Sequence, residues 1–250
     1  ATKQKTEAKT PVPAIPHTEG PFYSASFLTK HWLAALVMML VSFGLYYQCI
    51  AYGYILDDLM VITGNSFTKK GFGGIWDIMT TESFEGYFGE RKDLVQGNRY
   101  RPLSIVTFAI EHGIMGGTVP WLSHVINILL YGLTGITLMM VLDMMFRNFR
   151  SQNWWFSVPF LASLIFIVHP IHTEAVANIK GRDEIMSMLL SLGALYSALR
   201  YSDQNSSRWL AMSMIFYFLA LLSKENAITF LAVIPLTVYF FGRVKRHNVI

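Results

Sequence analysis

Apolar residues run in long blocks along this chain, and ionisable residues gather in short clusters between them. Residues 32–56 carry no charge and form the clearest block; others cover 121–146, 154–168, 185–199, 209–222 and 227–241. Crossing a bilayer takes about 20 mostly apolar residues per helix, because backbone groups in hydrocarbon must satisfy one another. The pattern predicts an all-α fold, a polytopic transmembrane helical bundle of about six spans. The shorter blocks predict helices tilted or broken near a cavity. Residues 102–115 start with Pro102 and carry Glu111 and His112, which predicts a surface-lying or re-entrant helix that Gly116, Gly117 and Pro120 then interrupt.

The polar stretches complete the organisation. Residues 1–30 are rich in Lys, Thr and Pro and predict a flexible N-terminal arm ahead of a transmembrane domain over 31–250. The apolar block after the arm is longer than a signal core and lacks a small-residue cleavage site, so an uncleaved first helix is expected. Residues 57–100 form a large outer loop. Within it Ile75, Trp76, Ile78 and Met79 predict an amphipathic turn lying on the membrane surface.

Composition sharpens this picture. The chain is 53% hydrophobic and only 14% charged, where a soluble domain carries about 25% charged residues. Its net charge of +4 sits at block ends, where helix orientation and anionic lipid account for it, so no nucleic-acid partner is expected. Cys49 is the sole cysteine and excludes an intrachain disulfide. With six spans, Lys3, Lys5, Lys9, Lys30, Arg147, Arg150, Arg200, Arg208, Arg243, Lys245 and Arg246 share one side. The positive-inside rule makes that side cytoplasmic, with both termini. The remaining clusters then face the periplasm or lumen, from a bacterial inner membrane or the endoplasmic reticulum.

Those outward clusters carry the candidate chemistry. Adjacent carboxylates at Asp57 and Asp58 repel, which raises the pKa of one of them and suits a general base toward a hydroxyl; the alternative is a hydrophilic stop and helix cap. His169, His172 and Glu174 flank Pro170. A metal is conceivable at His-x-x-His, but the proline breaks the helix, and hydrogen bonding to a phosphate or sugar fits better. Lys180 and Arg182 bracket Gly181 and suit phosphate recognition, as does Arg101; snorkelling at the interface is the competing reading. Lys224 and Glu225 form an ion pair or separate contacts at a tight turn. Glu111, His112, His124 and Asn127 predict hydrogen bonds between helices.

Taken in chain order, Asp57-Asp58 with Val61-Ile62 and Asn65, Tyr100-Arg101-Pro102-Leu103, His124-x-x-Asn127, His169-Pro-x-His172-Thr-Glu174, Gly181-Arg182 and Ser223-Lys224-Glu225 resemble one family. It is the membrane half of the transmembrane and tetratricopeptide-repeat O-mannosyltransferases, within the C-type glycosyltransferases that include the dolichyl-phosphate-mannose protein mannosyltransferases. The resemblance covers roughly residues 32–242. It implies a partial C-type architecture and transfer of a mannose-like sugar from a polyprenyl-phosphate carrier to a Ser or Thr hydroxyl, with inversion.

By that resemblance Asp57 is the base, and Asp58 orients it or the acceptor. Arg101, His169, His172 and Arg182 surround the lipid phosphate beside one outer cleft, and Glu174, Lys224 and Glu225 support the pocket. No metal or other cofactor is implied; the partners are membrane lipid, the lipid-linked sugar and a protein acceptor. The family's members have more spans than are read here and add a repeat domain, whose 34-residue period does not occur in this chain. A fragment or a shortened relative is expected. The second function is therefore an inactive relative serving as a structural subunit of a membrane complex. A transporter would need paired broken helices in two halves, which the sequence does not show.

Overall fold

The computed structural model describes residues 27–90, 99–147 and 153–242. The N-terminal arm with Lys3, Lys5 and Lys9, the Lys30 side chain, loop residues 91–98, and Arg150, Arg243, Lys245, Arg246 and His247 lie outside the described residues. Secondary structure among the described residues is entirely helical.

The first apolar block folds as α1 (Phe27–Tyr46), kinked at His31 and continued by a 3-10 turn at Tyr47–Ala51. Among the described residues, the segment 57–100 contains three short helices, α2 (Ser66–Lys69), α3 (Ile75–Thr80) and α4 (Glu85–Phe88). In α3 Trp76 is exposed while Ile78 is buried, so the apolar residues of this turn face two ways rather than forming one surface. Pro102 opens α5 (Pro102–Met115), where a missing N–H costs nothing, and a left-handed Gly116 closes it. The core helix is α6 (Pro120–Met145). After it come α7 (Val158–Val168), α8 (Thr173–Ala177), α9 (Arg182–Gln204), α10 (Ser207–Ser223) and α11 (Phe230–Phe241).

Two helical segments are long and apolar enough to cross a membrane, His31–Ala51 and Pro120–Met145. A third arises if α7 and the segment Pro170–Ala177, bent by 51° at His169, make one broken span. The expected six spans are thus not what length and composition return. Helix α9 opens on Arg182, Asp183 and Glu184, while α5 and α10 are apolar but shorter than a full crossing.

Small side chains let the core helices approach. A Cβ on Gly135 of α6 would sit 2.2 Å from Ile167 of α7, and one on Gly132 would sit 2.5 Å from Met39 of α1. Tyr131 of α6 donates its hydroxyl to the carbonyls of Phe166 and Ile167, at 3.2 and 3.0 Å. These are acceptors left free where α7 ends. Helices α9 and α10 form an antiparallel hairpin, turned by Asn205 at φ 50°.

The ends of α9 carry different chemistry. At its C-terminal end Arg147 bonds Asp203 at 2.6 Å and the Phe241 carbonyl at 3.0 Å. The clusters at Asp57, Arg101, Lys180 to Glu184 and Lys224-Glu225 meet at its N-terminal end.

Candidate active site

The site is assembled by four turns around the N-terminus of α9. The first lies between α1 and α2. Leu56, 82% exposed, takes φ 45°, a left-handed conformation that a bulky side chain adopts only under strain. That kink separates the fates of the two carboxylates after it. Asp58 is fully buried, and its oxygens accept from the backbone N–H of Ile55 at 2.9 Å and of Lys180 at 2.8 Å. Burial pushes the Asp58 carboxyl up, and the two amides only partly oppose this. Asp57 stays 46% exposed, with the Lys180 ammonium 3.5 Å from its Oδ2. Downstream, a single π turn at Leu59–Thr63 leads to Asn65, whose Oδ1 caps α2 by accepting from Phe67 and Thr68.

The second turn spans Asn178 to Gly181. Asn178 caps it by accepting from Lys180 N–H, and only glycine fits at 181, where a Cβ would lie 2.3 Å from the Ala175 carbonyl. The third is the approach to α5, which delivers Arg101; its N–H donates to Ser83 Oγ at 3.0 Å. The fourth, between α10 and α11, delivers Lys224 and Glu225.

These turns interlock through charge. Arg101 donates from Nη1 to Asp183 at 2.8 Å and from Nε to Glu225 at 2.8 Å, and Nη2 completes a fork on Glu225. Lys180 lies between Asp57 and Asp183, 4.0 Å from the latter. Lys224 pairs with Glu184. Bonding to Arg101 holds the Glu225 carboxyl below its usual range. Burial lowers the Lys224 ammonium, with Arg101 and Lys180 adding like charge and Asp183 opposing them. Beside this network a shallow recess is lined by Arg101, Lys180 and Asp183 together with Phe84, Ile105 and Phe108.

Not every expected residue joins it. Arg182 lies one position beyond the turn and points inward, at 0% exposure. It bonds Asn127 Oδ1, Thr107 Oγ1 and the Ser123 carbonyl at 2.8, 2.8 and 3.0 Å, pairs with Glu111, and stacks on Phe108 at 4.2 Å. All three of its guanidinium nitrogens face fixed partners, which corrects the expectation that it surrounds a phosphate in an outer cleft. Asn127 also donates to the Ile179 carbonyl at 3.1 Å, as expected of a residue bonding between helices. His124 instead packs edge-on against Tyr52.

His169 and His172 sit at the bend after α7. His169 Nδ1 accepts from Ile171 N–H at 3.2 Å, and the His172 ring lies 4.3 Å from Phe166 and 5.8 Å from Tyr131. Glu174 is exposed at the start of α8. Among the described residues the bonds that build the ionic network do not extend to these three. Nor, among those residues, does any trio of His, Cys, Asp and Glu come close enough to hold a metal ion.

Asp57, Arg101, Lys180, Asp183, Lys224 and Glu225 thus converge, and the chain that carries them has relatives among known proteins. The chain is 32% identical over 198 residues to human TMTC1, named a protein O-mannosyl-transferase, covering 73% of this chain. It is 30% identical over 235 residues to mouse TMTC2 and 29% identical over 223 residues to mouse TMTC4, covering 87% and 82% of the chain; both carry the same protein name. The chain is a TMTC-like protein. It spans only 21% to 29% of the length of these three curated relatives. No protein-family model matches the TMTC-like chain, and no solved structure matches it.

Two network members were underrated by sequence reasoning. Asp183 joins Arg101 to Lys180, and Lys180 reaches Asp57. The signal was present: Lys180 and Asp183 are three apart at a helix start, a spacing that puts both on one face.

Proposed function

We propose that this chain is the membrane part of an O-mannosyltransferase. It takes a mannose-like sugar from a polyprenyl-phosphate carrier and places it on a Ser or Thr hydroxyl of a protein acceptor, at the extracytoplasmic face. One observation carries the reading. Of two adjacent carboxylates, Asp58 is locked by backbone amides while Asp57 is left accessible beside Lys180, at a turn whose backbone is strained. The strained position is Leu56, next to the exposed acid, and backbone strain of this kind clusters at functional sites.

In this mechanism Asp57 accepts the proton of the acceptor hydroxyl as its oxygen attacks the anomeric carbon. The bond from that carbon to the phosphate oxygen breaks, the electron pair leaves with the phosphate, and configuration inverts. Lys180 and Arg101, which line the recess, stabilise the charge growing on the departing phosphate. Asp58 is a positioning residue: it ties the Asp57 turn to the Lys180 turn. Arg182 works the same way from beneath, fixing the start of α9. His169, His172 and Glu174 would then meet the carrier from the bend after α7. The reading includes a partial C-type architecture with further crossings supplied by the shorter apolar helices, and cytoplasmic termini.

A second reading has its own support. Every cation of the network already faces a carboxylate, Arg101 with Glu225 and Asp183, Lys224 with Glu184 and Lys180 with Asp57. That arrangement suits an inactive relative acting as a subunit of a membrane complex. Sugar transfer from dolichyl-phosphate-mannose, measured for the unaltered chain and for Asp57→Asn at equal membrane insertion, separates the two. Transfer lost only in the variant supports the enzyme. Absence of transfer from both, with stoichiometric partners co-purifying, supports the subunit.

A further inference from the structure

Arg101 has two acidic partners of opposite character. Asp183 is 4% exposed and holds Nη1 from inside the protein, while Glu225 is 62% exposed and occupies the Nε and Nη2 edge. That edge presents two parallel donors, the geometry that matches either a carboxylate or a phosphate. Glu225 begins a short 3-10 turn, and the Lys224 before it is extended, so the acid projects from a connection rather than from packed helix. The other ion pair of this turn also relies on an exposed acid, Glu184 at 47%. Exposed partners separate at small cost, whereas a buried one does not.

We propose that Glu225 is an internal substitute for the anionic ligand of Arg101, closing the site until a phosphate ester exchanges with it. The identity of that ester rests on the transferase reading above; the exchange itself rests on the two unequal partners. With Glu225 displaced, the incoming group meets a guanidinium edge still aimed by Asp183. Lys180 lines the same recess, and Lys224 lies within the field of both cations. Phe84, Ile105 and Phe108 make one side of that recess apolar, which favours an ester over bare phosphate as the incoming group.

The test is direct binding to the whole chain in phosphatidylcholine nanodiscs. The probes are citronellyl phosphate, a short polyprenyl monophosphate, and inorganic phosphate. Glu225→Gln keeps the shape and removes the charge, and is expected to bind citronellyl phosphate about tenfold more tightly than the unaltered chain. Arg101→Gln should abolish binding with either residue at 225. A gain shared by inorganic phosphate supports exchange with the anion alone; a gain confined to citronellyl phosphate supports a lipid headgroup. Unchanged or weaker binding by E225Q at an unaltered melting temperature overturns the proposal. Should E225Q not fold, Glu225→Asp, one methylene too short for the fork, is expected to tighten binding, and failure of both to fold shows the acid to be structural and overturns it too. The two readings fail separately. Tighter binding without mannose transfer in any chain removes the transferase and leaves the exchange, while Asp57-dependent transfer with no effect at Glu225 removes only the exchange.

Discussion

Two arginines, Arg101 and Arg182, stand at the same end of the molecule and do opposite work. Arg182 is fully buried, stacked on Phe108 and bonded to Asn127, Thr107, Glu111 and the Ser123 carbonyl. Arg101 shares Asp183 with the interior but offers its other edge to an exposed Glu225. A guanidinium surrounded by immobile partners is a joint between helices. One whose partner is exposed is open to exchange, as proposed for Arg101. The difference lies in the exposure of what each arginine touches, not in the arginine.

Substitutions should break this comparison in a graded way. The largest effect on stability is expected at the joint: Arg182→Gln leaves Glu111 part-buried without its cation and should cost about 3–5 kcal/mol. Thermal unfolding in detergent, or loss of protease resistance, would reveal it; a melting curve like that of the unaltered chain would reclassify Arg182 as a ligand group. On the proposed transferase reading, Asp57→Asn should slow sugar transfer by about 100-fold or more while leaving the melting temperature in place, because Asp57 is half exposed.

Asp58→Asn comes next. An amide side chain can accept from only one of the two N–H groups that Asp58 serves, so a loss of about 1–3 kcal/mol is expected, with transfer falling only as far as the Asp57 turn loosens. Smallest of all, Glu225→Gln should change stability by about 0–1 kcal/mol. A loss there as large as at Arg182 would erase the distinction between the two arginines.

pH sharpens the same contrast, since the two carboxyls shift in opposite directions. The Asp58 carboxyl is pushed up by burial, so the folded state binds the extra proton first. Its contribution therefore falls as pH rises from the ordinary carboxylate range through the raised folded value. The Glu225 carboxyl is held down by Arg101. Its contribution is present above the ordinary range and is lost as pH falls through the depressed value. Comparing stability against pH for Asp58→Asn and Glu225→Gln with the unaltered chain should remove slopes of opposite sign, the Glu225 slope being the weaker because solvent screens it.

Much of the fold was legible in the chain. Apolar blocks 32–56 and 121–146 became the two long helices, Pro102 and Gly116 bounded α5, and His169-Pro170 marked a bend. Helix α9 was read as apolar over its middle, yet its charged ends keep it from meeting the span test. The site was legible as a set of motifs but not as an arrangement. Asp57 and Asp58 look equivalent in sequence, as do Lys180 and Arg182. An offset of one residue at the first turn and of two at the second sends one member of each pair to the exposed network and the other into the interior.

The sequence by itself determined the helical class, the apolar surface and the TMTC likeness, because periodicity, composition and motif order are properties of a linear string. Only the tertiary structure decided which acid remains accessible, which arginine is permanently neutralised and which exposed carboxylate covers the other. Those outcomes depend on groups distant along the chain, Arg101 with Glu225 and Asp58 with Lys180, and on the cost of burying charge. Both acquire values only when the turns meet.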